Sequence, residues 1–270
     1  MADTHELIRN DFPRGDFRAV LFDFDGTLSL FREGWPRLMT DMMVDFLREA
    51  GCVEPNDSLS LRVENFIMEL NGRPAIFQMM RLAEEITALG KTPLPAESYL
   101  REYDRRLLAM TADRTAEVER QPEKAAVWAV PGTHDFLEEL KRRGLKLYLA
   151  SGTERHFMQP EADLLRVSGF FEEIHAPTAG DRSFSKRAVI DRILTTHSLQ
   201  GHQLISFGDG VIETGETRKA GGVAVAVASD EGGNGTINQW KRIRLAEAGA
   251  DWVIPDYTGQ KTWLPELLGS

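Results

Sequence analysis

The sequence contains a single cysteine, Cys52, in 270 residues. It can form no internal disulfide and has no second cysteine at metal-binding spacing, which predicts a chain of a reducing compartment, the cytoplasm. Positive charge is also scarce. Lys and Arg number 32 against 42 Asp and Glu, a net charge of −10, a poor match to phosphate backbones or anionic lipid. Neither a nucleic-acid nor a membrane partner is therefore expected. The five tryptophans show no regular spacing with basic residues, so no base-stacking surface is expected either. Long hydrophobic runs are missing: the most apolar later segment, residues 223–228, is far short of the roughly 20 residues that span a bilayer. The first residues, Met1-Ala2-Asp3-Thr4-His5-Glu6, are acidic where an export leader would be basic, and no such leader is expected. Asn234-Gly235-Thr236 then reads as a chance match to a glycosylation sequon.

What is present is ordinary for a folded domain, with 42% hydrophobic and 27% charged residues. Ala19-Val20-Leu21-Phe22 is a short continuous apolar run, the mark of a strand buried on both faces of a parallel sheet. Residues 145–150, 204–207, 223–228 and 252–254 repeat that character, separated by stretches of helical pattern such as 133–143 and 185–196. This alternation predicts a doubly wound, mostly parallel, Rossmann-like α/β sheet. Between the first two strands the period becomes helical: Met39, Met42, Met43, Phe46, Leu47 and Ala50 share one face, and later stretches do likewise. An all-helical insertion over 31–126 is expected, dividing a core of 1–30 and 127–270. The methionine stripe reads as core packing rather than as an adaptable groove. Polar residues 31–34 and 111–124 read as the linkers between the two bodies.

Chemistry-bearing residues fall at strand ends. Asp23-Phe24-Asp25-Gly26-Thr27 follows the first strand, at the edge where open α/β sheets bind ligands. Ser151-Gly152-Thr153 follows the second and offers hydroxyl and backbone donors to an anion. Lys186 stands in the first turn of a helix, where the macrodipole disfavours a cation, so an anion nearby better explains it. Gly208-Asp209-Gly210, with Glu213 beyond it, follows the third. Other patterns fail: Gly90-Lys91-Thr92 lacks the earlier glycine of a P-loop, and Ser206 lacks the glycine of a nucleophile elbow. The six histidines have no metal-ligand spacing.

The ordered set Asp23 to Thr27, Ser151-Gly152, Lys186 and Gly208-Asp209 with Glu213 resembles the haloacid dehalogenase-like superfamily of phosphoryl-transfer enzymes. The resemblance runs from Phe17 to Tyr257. The helical insertion resembles the cap of the phosphoglycolate phosphatase and beta-phosphoglucomutase branch. The resemblance implies Asp23 as nucleophile, Asp25 as general acid and base, and Thr27, Ser151, the Gly152 amide and Lys186 as phosphate ligands. It also implies Mg²⁺ held by the Asp23 carboxylate, the Asp25 carbonyl and Asp209, with Glu213 orienting them. The chemistry suits these residues: a carboxylate can take a phosphoryl group as an aspartyl-phosphate, and a hard cation lets carboxylates and phosphate share a small volume.

The expected activity is Mg²⁺-dependent hydrolysis of a small phosphorylated metabolite. A sugar phosphomutase and a non-catalytic phosphometabolite-binding protein are the alternatives. Dehalogenation would need neither Asp25 nor Asp209. Phosphonate cleavage would need a cap lysine, and the insertion holds only Lys91 and Lys124, neither in its first helices. In the cap, Arg73 of Asn71-Gly72-Arg73-Pro74 is the candidate substrate contact, followed by Arg32 and Trp35. Monomer and small homo-oligomer are both compatible with the sequence.

Overall fold

The computed structural model describes residues 5–12, 14–71, 73–179, 181–230 and 235–269. Gly72 of the cap turn and Asn234 of the sequon match lie outside them. Seven strands among these residues form one sheet: β1 (Glu6–Leu7), β2 (Ala19–Phe22), β3 (Lys146–Ala150), β4 (Glu173–His175), β5 (Leu204–Gly208), β6 (Val223–Val227) and β7 (Trp252–Ile254). Their spatial order is β1-β7-β6-β5-β2-β3-β4. β1 is antiparallel to β7, and the other pairs are parallel. The α/β sheet expected from the alternating runs is therefore present. The two strands that hydropathy missed, β1 and β4, are two and three residues long and only half-buried. They lie at the sheet edges, where pairing asks for no apolar run.

Register puts the ends of the central strands level. Phe22 of β2 pairs with Leu149 of β3 on one side and Phe207 of β5 on the other. The residues that follow these three strands therefore emerge along one edge. From β2 the chain leaves towards β3 and β4, then returns to β5 on the opposite side. This reversal of winding opens a crevice at the carboxyl end of β2. All four β2 side chains are buried. Phe22 stacks on Phe207 at 5.2 Å between ring centroids, and Phe136 on Tyr257 at 4.6 Å. This aromatic layer gives the strand a rigid floor.

The described residues of the insertion form four α-helices, α1 (Trp35–Glu49), α2 (Asn56–Glu69), α3 (Ile76–Ala88) and α4 (Ala96–Arg120). Its own apolar cluster includes Met39, Met42, Met43, Met68 and Met79, all buried, so the methionine stripe packs a core. One boundary differs from expectation. Residues 111–120, read as linker, continue α4, and only Pro122–Val127 leaves the α-helix, as a 3₁₀ turn. The segment is polar because most of it faces water, while Thr111 and Val118 anchor it. Its Ala, Arg and Glu are good helix formers. Gln121, held at φ −135° before Pro122, ends it. Beyond the insertion come α5 (Thr133–Arg142), α6 (Arg155–Leu164), α7 (Lys186–Thr196), α8 (Val211–Lys219), α9 (Gln239–Glu247) and α10 (Gln260–Leu268). Arg114 in α4 donates to the carbonyls of Phe31 and Glu33 at 2.8 and 2.9 Å. Arg244 in α9 donates to Met68 O at 2.6 Å. Polar contacts thus join the insertion to its entry segment and to the sheet body. No described helix is long and apolar enough to cross a membrane.

Candidate active site

Asp23 is buried at the end of β2. On one side stands Lys186, which the first turn of α7 aims inward: its Nζ lies 2.8 Å from Asp23 Oδ1 and 3.0 Å from Glu213 Oε2. Lys186 is itself buried. Burial alone would lower its proton affinity, but Asp23 and Glu213 outweigh it and hold the ammonium charged. For Asp23, burial is the largest influence and raises the carboxyl pKa; Glu213 and Asp209 add to that, and Lys186 opposes them. The site thus concentrates negative charge around Asp23, with Lys186 as the cation that contacts it.

Asp209 lies in the turn between β5 and α8, and Glu213 within α8. Glu213, in the first turn of α8, reaches back so that its Oε1 accepts from Gly210 N at 2.5 Å. A side chain at Gly210 would place its Cβ 2.6 Å from that oxygen, and one at Gly208 would lie 2.5 Å from Glu213 Cγ. Gly26 has φ +71°, and a Cβ there would meet Asp209 Oδ2 at 2.2 Å. Gly208 and Gly210 thus leave room for Glu213 to fold back over its own loop, and Gly26, at positive φ, lets Asp209 stand against the first turn. Asp23, Asp209 and Glu213 can each present an oxygen with all three within 4.8 Å of one another. An all-oxygen carboxylate set of this kind suits a hard divalent cation such as Mg²⁺. The residues present fit that group.

The other face of the crevice is organised around Asp25. Thr153 Oγ1 donates to Asp25 Oδ2 at 2.7 Å. Asp25 Oδ1 is buried and accepts no hydrogen bond from the described residues, with Arg32 Nε 3.4 Å away. Arg32 is buried and holds Glu161 of α6 through Nε and Nη2, at 3.0 to 3.2 Å. Ser151 Oγ accepts from Thr153 N at 3.0 Å. Asp23, Asp25, Ser151, Gly152 and Asp209 line one pocket together with Arg32, Trp35, Tyr103, Asp104 and Arg73 from the insertion side. Burial, aided by Glu154 and opposed by Arg32, pushes the Asp104 carboxyl up to about 6.

The expected residues thus converge, with distinctions. Thr27 is fully buried and is not among the pocket's lining residues. Its hydroxyl has no hydrogen-bond partner among the described residues, and its carbonyl accepts from Tyr257 Oη at 3.0 Å. Arg73 reaches the pocket but is exposed, its guanidinium 3.9 Å from the centre of the Phe77 ring. His134, by contrast, bonds Leu165 O at 2.7 Å, as a structural histidine would. Sequence reasoning missed Glu161 and Lys241. Each sits in a charged helical stretch that reads as a solvated face.

A family model of haloacid dehalogenase-like hydrolases matches residues 17–221. The chain belongs to this family and is an enzyme of the hydrolase class it describes. Its fold is similar to that of a predicted phosphoglycolate phosphatase from Haemophilus somnus, at 16% identity over 93% of this chain and 100% of that one, with a TM-score of 0.61. It is also similar to a beta-phosphoglucomutase from Clostridium difficile, at 14% identity over 94% and 97% of the two chains, TM-score 0.61. A predicted phosphatase from Clostridium acetobutylicum gives 18% identity over 93% and 99%, TM-score 0.60. No curated protein matches the sequence.

Proposed function

We propose that the protein is a Mg²⁺-dependent phosphatase that hydrolyses small phosphomonoesters in the cytoplasm through an aspartyl-phosphate on Asp23. The observation that carries this reading is the Asp23 carboxylate, buried at the carboxyl end of the central strand with Lys186 at 2.8 Å. Two further carboxylates can bring oxygens within 4.8 Å. An Asp23 oxygen attacks phosphorus, the P–O bond to the leaving group breaks, and water later cleaves the acyl phosphate. Asp25 gives its proton to the leaving alkoxide and takes one from the attacking water. Its Oδ1, buried and without a hydrogen bond among the described residues, is the atom we assign to that exchange.

Ser151 Oγ, the Gly152 amide and Lys186 hold the phosphoryl oxygens, and Thr27 supports the turn that presents Asp23 and Asp25. Asp23, the Asp25 carbonyl and Asp209 would hold Mg²⁺, with Glu213 setting their orientation through Gly210 and Lys186. When bound, the cation neutralises charge on the transferring phosphoryl group. Residues 31–126 act as a cap that covers the pocket, excludes water during the first displacement and contacts the leaving group through Arg73 and its neighbours.

The test is phosphate release from a panel of phosphorylated metabolites and an aryl phosphate, with Mg²⁺ and with chelator, for wild type and Asp23→Asn. Mg²⁺-dependent release by wild type alone is expected, since an amide keeps the shape but cannot attack. Release by Asp23→Asn near the wild-type rate would remove the nucleophile. An isomerised sugar phosphate without release would make the enzyme a mutase, and binding without turnover a binding protein.

A further inference from the structure

A second buried lysine stands against the carboxylate cluster. Lys241 belongs to α9, whose N-cap Asn238 accepts from the Lys241 amide at 3.0 Å and so fixes where the side chain starts. Its residue exposure is 9%. Its Nζ lies 3.3 Å from Asp209 Oδ2 and donates to Ser229 Oγ at 3.3 Å. Ser229, just beyond β6, in turn donates its hydroxyl proton to Gly26 O at 3.1 Å. The oxygen that Lys241 engages is also the one a Cβ at Gly26 would strike. Asp209 Oδ2 is therefore held between the Asp23–Asp25 turn and an ammonium group delivered from a separate helix.

We propose that Lys241 is a positioning residue for Asp209, a resident cation that keeps the carboxylate cluster assembled while the divalent ion is absent and opposes that ion's binding. The inference rests on reading Asp209 as a metal ligand. The charge arrangement argues for it. Lys186 serves Asp23 and Glu213, and Asp209 is the remaining member of the three-carboxylate set. In metal-free protein, like charges this close repel strongly in a partly desolvated site. Lys241 offsets that repulsion at Asp209, and Ser229 links the offset to the backbone of the catalytic turn. A divalent ion adds positive charge to the same place, so the two cations weaken each other.

The test compares wild type, Lys241→Met, Lys241→Gln and Lys241→Arg by thermal unfolding in chelator and in saturating MgCl₂, and measures Mg²⁺ binding by calorimetry. In Lys241→Met and Lys241→Gln the metal-free melting temperature should fall. The Mg²⁺-induced rise should exceed that of wild type by about 3 °C or more. The Mg²⁺ dissociation constant should tighten by about 3- to 10-fold, the binding counterpart of that larger rise. Lys241→Arg should track wild type. A side chain that only packs would lower the melting temperature equally with and without metal and leave the dissociation constant unchanged, which overturns the proposal. Weaker Mg²⁺ binding in Lys241→Met and Lys241→Gln overturns it as well. If wild type shows neither a Mg²⁺-induced shift nor Mg²⁺-dependent hydrolysis of an aryl phosphate, the metal reading itself has failed. That result is visible without any variant.

Discussion

Arg32 and Glu161 lie 129 positions apart in the chain, yet the guanidinium grips the carboxylate through Nε and Nη2 with both side chains 8% exposed. Arg32 belongs to the segment that leads into the insertion, and Glu161 to α6 behind the Ser151 loop. Burial is the largest influence on the Glu161 carboxyl and raises its pKa, while Arg32 works against it. Removing one partner strands a buried charge. Arg32→Met and Glu161→Leu should each cost about 3 kcal/mol of folding stability, and the double variant should recover much of that loss. Urea unfolding of the four proteins measures the coupling; strictly additive losses would count against the pair.

Asp25 is predicted to matter in proportion to the basicity of the leaving group. Asp25→Asn should lower kcat strongly for alkyl phosphates and far less for an aryl phosphate, whose leaving group departs with little protonation. Steady-state rates on both substrates decide the point. Equal losses would take Asp25 out of proton transfer.

For the carboxylates at the β5 edge, Asp209→Ala should weaken Mg²⁺ binding strongly. Glu213→Gln should act more gently on the metal. It retains an acceptor for Gly210 N but leaves Lys186 with Asp23 as its remaining carboxylate partner. Calorimetric Mg²⁺ titration of both variants gives the order of effects, and an equal loss would make Glu213 a direct ligand.

Asp104 gives a prediction with a sign. Its carboxyl titrates at about 6 in the folded protein against an ordinary 3.8. Between those values the native state binds more protons than the unfolded state, so this residue's contribution to stability falls as pH rises through that window and is level above it. Asp104 is only partly buried, and with solvent screening the penalty at pH 7 should be about 1 kcal/mol. Asp104→Asn should therefore gain stability relative to wild type between pH 4 and 6.5 in chemical denaturation. A pH-independent difference would refute the assignment.

Arg73 tests the role of the insertion in choosing substrate. Arg73→Ala should reduce kcat/KM for the natural phosphomonoester by roughly 10- to 100-fold and barely change that for a small aryl phosphate, which does not reach the cap. Loss on both substrates would mean that Arg73 supports the pocket itself through its stacking on Phe77. No loss on either would leave it a surface residue.

Much of this protein follows from local order in the chain. The apolar run ending at Phe22 sets a doubly buried strand, the helical period after Trp35 sets an insertion, and acids, hydroxyls and glycines at strand ends mark one sheet edge. These are readable because hydropathy period and turn chemistry act over a few residues. Where α4 ends was not readable that way: polarity suggested a linker at 111–124, whereas packing of Thr111 and Val118 kept the helix going to Arg120. The partners of Arg32 and Asp209 were also beyond the sequence. Glu161 and Lys241 sit in helices whose charges look solvated, and only the winding of the sheet turns those two inward. Their roles come from burial and from neighbours distant in the chain, and both quantities exist only once the chain has folded.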